Sequence, residues 1–167
     1  MATALFLDES RAAGKYLTFV LGGGAYGLPV LKVREIIRLA DITPIPRMPD
    51  YVRGVINLRG RIVPVIDLRL KLGLPNPQTT NRTCIIVTHV EIGGTPRQMG
   101  LIVDAIEEVA YISSEEIEPA PDFGKGASAG FIANMAKGKN RVRSLLDIDR
   151  IVQAEQAILA VDVLMGR

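Results

Sequence analysis

Cys84 and His89 are the only thiol and the only imidazole in the chain, and a thiol ionised by a neighbouring imidazole would be a nucleophile. Both lie in the apolar run Thr83 to Val90, TCIIVTHV, which reads as a strand. An odd number of residues separates them, and strand side chains alternate between faces, so the two point in opposite directions. The spacing argues against a small enzyme built on this pair and for a buried cysteine with an exposed or hydrogen-bonded histidine. A phosphotransfer histidine would sit exposed on a helix of a bundle, which this run does not resemble. With one cysteine there is no intrachain disulfide and no multi-cysteine metal site, and neither an H-x-x-x-H nor a C-x-x-C spacing is present to hold zinc. No catalytic residue, metal or cofactor is expected.

Asp67 closes the apolar run IVPVIDL, as a phospho-accepting aspartate would. That chemistry needs further acids for magnesium and an alternating strand–helix chain around them, and neither is visible. Asp147 occupies the matching place later in the chain, which favours two helix caps over one active site. The glycine run Gly22, Gly23, Gly24 lacks the Gly-Lys-Ser/Thr ending of a phosphate loop and reads as a tight turn. The segment Gly54 to Arg61, GVINLRGR, is different, because it sets Asn57, Arg59 and Arg61 around a hairpin turn between apolar strands. A turn arginine is commonly just solvated. The alternative is a guanidinium held on a rigid turn to read a partner's carboxylates or carbonyls, a task its planar fork of donors suits. The residues alone leave both open.

The elements that would position these groups are short. Tyr16 to Leu21 predicts a half-buried strand, and the glycines turn it back into Tyr26 to Pro29. Val30 to Arg38 spaces its apolar residues for a short helix or a curved strand. Pro44, Pro46 and Pro49 exclude a long helix and predict an extended edge segment. Val55 to Leu58 and Ile62 to Ile66 form a hairpin, and Asp67 caps a brief helix that ends at Gly73. The second half repeats this plan, with Thr83 to Val90, a turn at Gly93 and Gly94, and a return over Gln98 to Val103. Setting Gly27 beside Gly100 aligns Val33 with Ile106 and Glu35 with Glu108. Gly54 then matches Gly130 and Asp67 matches Asp147, as in a diverged duplication.

The pattern predicts a mainly β fold of two small antiparallel barrels, closed or nearly so, each of about five strands, with short helices and a C-terminal helix. Residues 1–14 read as an arm, 15–78 and 79–146 as the two subdomains, and 147–166 as the helix. That helix carries Ile151, Ile158, Leu159, Val161 and Leu164, enough apolar surface to pack across a barrel.

Composition narrows the function classes. The 167 residues are 48% hydrophobic and 23% charged, with a net charge of +2, ordinary for a soluble domain. Positive charge is interspersed with acid, aromatics are 5% and tryptophan is absent, leaving little for a nucleic-acid groove or a base-stacking platform. No secretory signal and no run of about 18 apolar residues is present, so a cytoplasmic protein without direct membrane insertion is expected.

The stretches GLPVLKVREI, ITPIPRMPDYVRGVINLRGRIVPVIDLRLKLGL and GLIVDAIEEV, and more weakly EEIEPAP to LLDID, resemble the CheW family. The block from Gly54 to Leu70 is highly specific, and coverage runs from about Tyr16 to the C-terminal helix. The resemblance implies a fold of two Src-homology-3-like barrels and an adaptor without a reaction of its own. Such an adaptor couples the cytoplasmic tip of methyl-accepting chemoreceptors to the CheA histidine kinase. It binds the kinase's CheW-like regulatory domain barrel to barrel, joins other CheW copies in array rings, and is recruited to the inner face of the membrane through those arrays. Carried over by motif, the receptor surface comprises Val33 and Glu35 in KVREI, and Gly54, Asn57 and Arg59 in GVINLRG. Ile106 and Val109 in DAIEEV complete it. Val33 and Ile106 read equally as core. The chain departs from the family at NMAKGKNRVRSLLDID, where Lys137, Lys139, Arg141 and Arg143 make one hairpin unusually basic. That stretch also prompts a competing reading, a barrel that binds RNA or ribosomal protein.

Overall fold

Short β-branched runs interrupted by glycine pairs and prolines give this chain strands too short to bury a face alone, and the fold is the way it closes them. The structure, a computed structural model, describes residues 13–74, 76–121, 130–138 and 140–153. Within them the order is β1 (Gly14–Leu21), β2 (Gly24–Pro29), a 3-10 turn (Val30–Lys32), β3 (Val33–Arg38), β4 (Val52–Leu58), β5 (Arg61–Asp67) and α1 (Leu68–Lys71). Then follow β6 (Cys84–Ile92), β7 (Thr95–Val103), β8 (Ala105–Ile112), a second 3-10 turn (Ser114–Glu116), β9 (Ile117–Pro119), β10 (Ile132–Lys137), β11 (Val142–Leu146) and α2 (Ile148–Gln153). The segment read as a short helix or a curved strand is a 3-10 turn followed by a strand. The part of the expected C-terminal helix beyond Gln153 lies outside the described residues, as do 1–12 of the expected arm.

The mainly β expectation holds, but the two sheets do not follow the two halves of the sequence. One sheet has the order β3-β6-β7-β5-β4 and the other β8-β1-β2-β11-β10-β9. The first hairpin of each half therefore sits in the other half's sheet: β1–β2 joins β8–β11, and β6–β7 joins β3–β5. The exchange is symmetric in detail. β3 pairs antiparallel with β6 as β8 does with β1, and β5 pairs parallel with β7 as β11 does with β2. The contiguous division at 78/79 is corrected accordingly, to 33–103 for one sheet and 14–29 with 105–146 for the other. The second sheet also has six strands rather than five. The physical reason is burial: a half folded alone would leave two sheet edges open, and exchanging hairpins pairs an edge of each.

Closure of the first sheet depends on the proline-rich segment. Beyond β3 the chain returns to β4, where Thr43 and Val55 exchange two main-chain hydrogen bonds of 2.9 Å each. This joins the sheet's outer strands into a barrel. Gly54 permits it: its φ is +135°, and a Cβ there would lie 2.0 Å from the Thr43 carbonyl oxygen. In the second sheet the outer strands β8 and β9 are consecutive, joined by the turn at Ser114–Glu116, with Ser113 and Glu116 forming a reciprocal cap.

Three apolar clusters result. Ile56, Val63, Val65, Ile85, Val87 and Ile102 fill the first barrel, and Tyr16, Ile112, Ala136 and Leu145 the second. The largest lies between them and draws on both, with Phe19, Leu28, Ile66, Leu68, Ile86, Leu101 and Ile151 all nearly inaccessible. Each such side chain contributes roughly 1.5–3 kcal/mol, so separating the barrels would expose the better part of the core.

A buried ion network pins the crossover. Asp67 caps α1, its Oδ1 accepting from Arg69 N at 3.0 Å. The Arg69 guanidinium in turn grips both Asp67 carboxylate oxygens at 2.9 Å, and its Nη1 donates to Asp104 Oδ1 at 2.9 Å and to the Gln78 carbonyl at 3.0 Å. Asp104 stands between β7 and β8, where the chain passes from one barrel to the other, and its Oδ2 accepts from Gly22 N on the β1–β2 turn at 2.6 Å. Lys71 adds a second tie, its Nζ lying 4.5 Å from the Tyr51 ring centre and 5.2 Å from that of Phe131. Those two residues are counterparts, since the carbonyl of Tyr51 accepts from Asp67 N as that of Phe131 does from Asp147 N.

Substituting Gly54 by Ala should cost about 3 kcal/mol or more, because backbone at the Thr43 seam must move. At Gly60, where φ is +84° but the space is open, alanine should cost about 1–2 kcal/mol. Urea unfolding of both variants checks the difference.

Candidate functional site

The NLRG segment forms the tip of the β4–β5 hairpin. Leu58 pairs with Arg61, leaving Arg59 and Gly60 as a two-residue turn with φ values of 52° and 84°. Two positive φ values define the turn whose twist matches a β-hairpin, and it ordinarily takes Asn-Gly or Gly-Gly. Among the described residues, two other turns with successive positive φ values, at Gly22–Gly23 and Gly93–Gly94, are glycine throughout. Arg59 is the exception: a long side chain held in the left-handed region, an arrangement found at sites where a side chain must be presented. Two contacts fix it. Asn57 Oδ1 accepts from Gly60 N at 2.8 Å and braces the turn. The guanidinium donates from Nη1 to Glu35 Oε2 at 2.6 Å and from Nη2 to Glu35 Oε1 at 2.7 Å, a bidentate pair reaching from the turn to β3.

This pair sets the local electrostatics. The Arg59 hydrogen bonds hold the Glu35 carboxyl below its ordinary range, and Glu35 raises the guanidinium in return. Two of the five guanidinium N–H donors are used. The remainder face solvent, since the Arg59 side chain is 68% exposed.

The other residues expected at the receptor surface divide by place. Val33 and Ile106 are half-buried and pack on the central core, from opposite barrels. Gly54 is buried at the barrel seam, so its direct role is closure. Val109, on β8, is 57% exposed, beside Tyr111 at 67%. The structure thus brings Glu35, Asn57 and Arg59 into one contact group. Ile106 and Val109 stand on the other barrel, and of these Ile106 packs on the same central cluster as Val33.

Three of the four cations of the basic hairpin are paired within the molecule. Lys137 pairs with Glu118 at 2.8 Å, Arg141 with Glu107 at 2.8 Å and Arg143 with Glu108 at 3.3 Å; Lys139 lies outside the described residues. Three cations of the strip thus face carboxylates, which reduces the local positive charge that prompted the RNA reading. Cys84 and His89 stand about 16 Å apart along β6 at strand rise, and burial pushes the thiol pKa up, the wrong direction for a nucleophile. The Arg69–Asp104 partnership escaped sequence reasoning. Its one signal was an arginine two residues after the capping Asp67, where cations alternate with leucines in DLRLKL.

Comparison with known proteins gives a consistent result. The model of the CheW-like domain matches residues 15–156. Chemotaxis protein CheW of Klebsiella aerogenes is 32% identical over 163 residues, covering 98% of this chain and 96% of the relative. Chemotaxis protein CheW of Bacillus subtilis is 33% identical over 153 residues, covering 92% and 96%. The crystal structure of scaffolding protein TtCheW from Thermoanaerobacter tengcongensis superposes with a TM-score of 0.75 at 32% identity, over 84% of this chain and 93% of that one. The chain belongs to the CheW-like family.

A carboxyl with a depressed pKa stabilises the fold above its ordinary value of 4.5, and loses that contribution as pH falls through the lowered folded value. NMR titration should therefore show Glu35 protonating below the usual range in the wild type. In Arg59→Met it should return toward the ordinary value.

Proposed function

We propose that this chain is a non-catalytic adaptor that couples the cytoplasmic tips of methyl-accepting chemoreceptors to the CheA histidine kinase in bacterial chemotaxis signalling. The observation that carries the reading is the Glu35–Arg59 pair on its left-handed turn, a guanidinium with its direction set and donors to spare. Membership of the CheW-like family over most of the chain, and relatives named for chemotaxis and scaffolding, support it.

In this reading the receptor surface comprises Val33, Glu35, Asn57, Arg59, Ile106 and Val109, with Gly54 holding the turn's barrel closed beneath them. A receptor tip is a helical hairpin. Its apolar face would lie on the half-buried Val33 and Ile106 and the exposed Val109, while Arg59 addresses carboxylates or helix-terminal carbonyls at the rim. Single contacts of this kind are modest and gain strength by repetition in an array. The kinase is engaged through its own CheW-like regulatory domain, barrel to barrel, and further copies of the chain join the rings. The protein works in the cytoplasm, drawn to the inner face of the membrane by the receptors.

The test is reconstitution with a receptor fragment and CheA, following kinase autophosphorylation. Wild type should give receptor-dependent stimulation, and Arg59→Ala should raise the adaptor concentration needed by about tenfold, ~1.4 kcal/mol, with the melting transition retained. A folded wild type that neither binds the kinase nor stimulates it, with components proven competent, would contradict the assignment.

A further inference from the structure

Two acids stand between Ile106 and Val109 on β8, and both are held by arginines. β8 carries a bulge there: Thr18 pairs with Glu108 and Phe19 with Ile106, which leaves Glu107 as the extra residue. Thr18 Oγ1 fixes it from β1, accepting from Glu108 N at 3.2 Å and donating to the Glu108 carbonyl at 2.9 Å. A bulge interrupts the alternation of side chains and re-aims them. Consecutive acids thus both meet the β10–β11 hairpin: Glu107 Oε2 accepts from Arg141 Nη1 at 2.8 Å and Glu108 Oε2 from Arg143 Nη2 at 3.3 Å. β3 has the matching bulge at Arg34, and the acid that follows it, Glu35, is held by Arg59 of the β4–β5 hairpin.

Arg143 reaches Glu108 from an unusual place. Val63 and Arg143 each lie four residues before a capping aspartate, Asp67 and Asp147. Val63 pairs with Ile56, and both are buried in the first barrel. Arg143 pairs with Ala136 of the second barrel's cluster on one side and with the buried Ala25 on the other. Directly opposed strand residues share a face, so the side chain enters the barrel between two alanines, and it is 16% exposed. Its Nε is buried without a hydrogen-bond partner, which costs stability. An aliphatic side chain in such a place is commonly as stabilising or more so. What Arg143 does hold is Glu108, and with it the strand between Ile106 and Val109.

We propose that Arg143 is a positioning residue for receptor binding: from inside the second barrel it holds the β8 bulge in the form that presents Ile106 and Val109. The inference rests on the adaptor reading above. It makes Arg143 the inward twin of Arg59, acting through a strand where Arg59 meets the partner. It also gives the basic hairpin a role that needs no partner contact of its own.

The test is calorimetric titration of a chemoreceptor cytoplasmic-tip fragment into the full chain, Arg143→Met, Glu108→Gln and the double variant, with a melting curve for each. The Glu108 side chain is 60% exposed, so removal of Arg143 strands no buried carboxylate and melting should be unchanged or raised. Each single variant should bind about fivefold more weakly, and the double variant no more weakly than either. Wild-type affinity in Arg143→Met, a loss that tracks lowered melting, or losses that add in the double variant, as direct contact by Glu108 would give, would each overturn the proposal and leave the adaptor reading standing. A fragment that binds none of the four forms, wild type included, would overturn both.

Discussion

The exchange of hairpins between the two sheets is the constraint on which everything else rests. Neither barrel contains all its own strands: β6–β7 completes the first and β1–β2 the second. The chain must cross between them, and at the last crossing, Asp104, it is held by Arg69 from one barrel and by the Gly22 amide from the other. Asp67 and Arg69 are almost wholly inaccessible. A buried ion group of this kind adds little net stability over apolar packing, yet loss of one member leaves a stranded charge. Its effect here is to fix one arrangement of the two barrels. The shared central cluster then supplies the energy that makes the arrangement worth keeping.

That rigidity is what gives the Arg59 turn its meaning. A non-glycine residue in the left-handed region costs on the order of 1–2 kcal/mol, and the exposed ion pair with Glu35 cannot be assumed to repay it in stability. The arrangement makes sense as presentation: strain accepted so that a guanidinium stands at a defined place on a stiff hairpin. The seam at Thr43 and Gly54 lies three residues before Asn57 on the same strand, so closure of the barrel and posture of the turn are one problem. For an adaptor, a stiff body with fixed donors is the relevant chemistry.

Much of this was legible in the sequence. Period-two apolar runs and glycine pairs located the strands and turns, and the match of Gly27 with Gly100 proved structural: Leu145 lies against the first and Val65 against the second in the two parallel ladders. Asp67 and Asp147 both act as caps, as their placement after apolar strands predicted. The exchange itself was not legible, because a duplication specifies which segments are alike and not which of two equivalent edges each one joins. Gly54 was picked out by motif as surface, whereas its φ of +135° and the approach of Thr43 make it a closure residue. The basic hairpin misled for a related reason: its acids, Glu107, Glu108 and Glu118, come from β8 and β9, distant in sequence from the cations they face.

The two barrels form one cooperative unit, and native-state hydrogen exchange measures this directly. The slowest amides of β6 and β7 in the first barrel and of β1 and β2 in the second should report one common opening free energy, converging on that of global unfolding. If either barrel's amides exchanged through a separate opening more than about tenfold more populated, ~1.4 kcal/mol, while the other stayed protected, the barrels would be independent and the account would be contradicted.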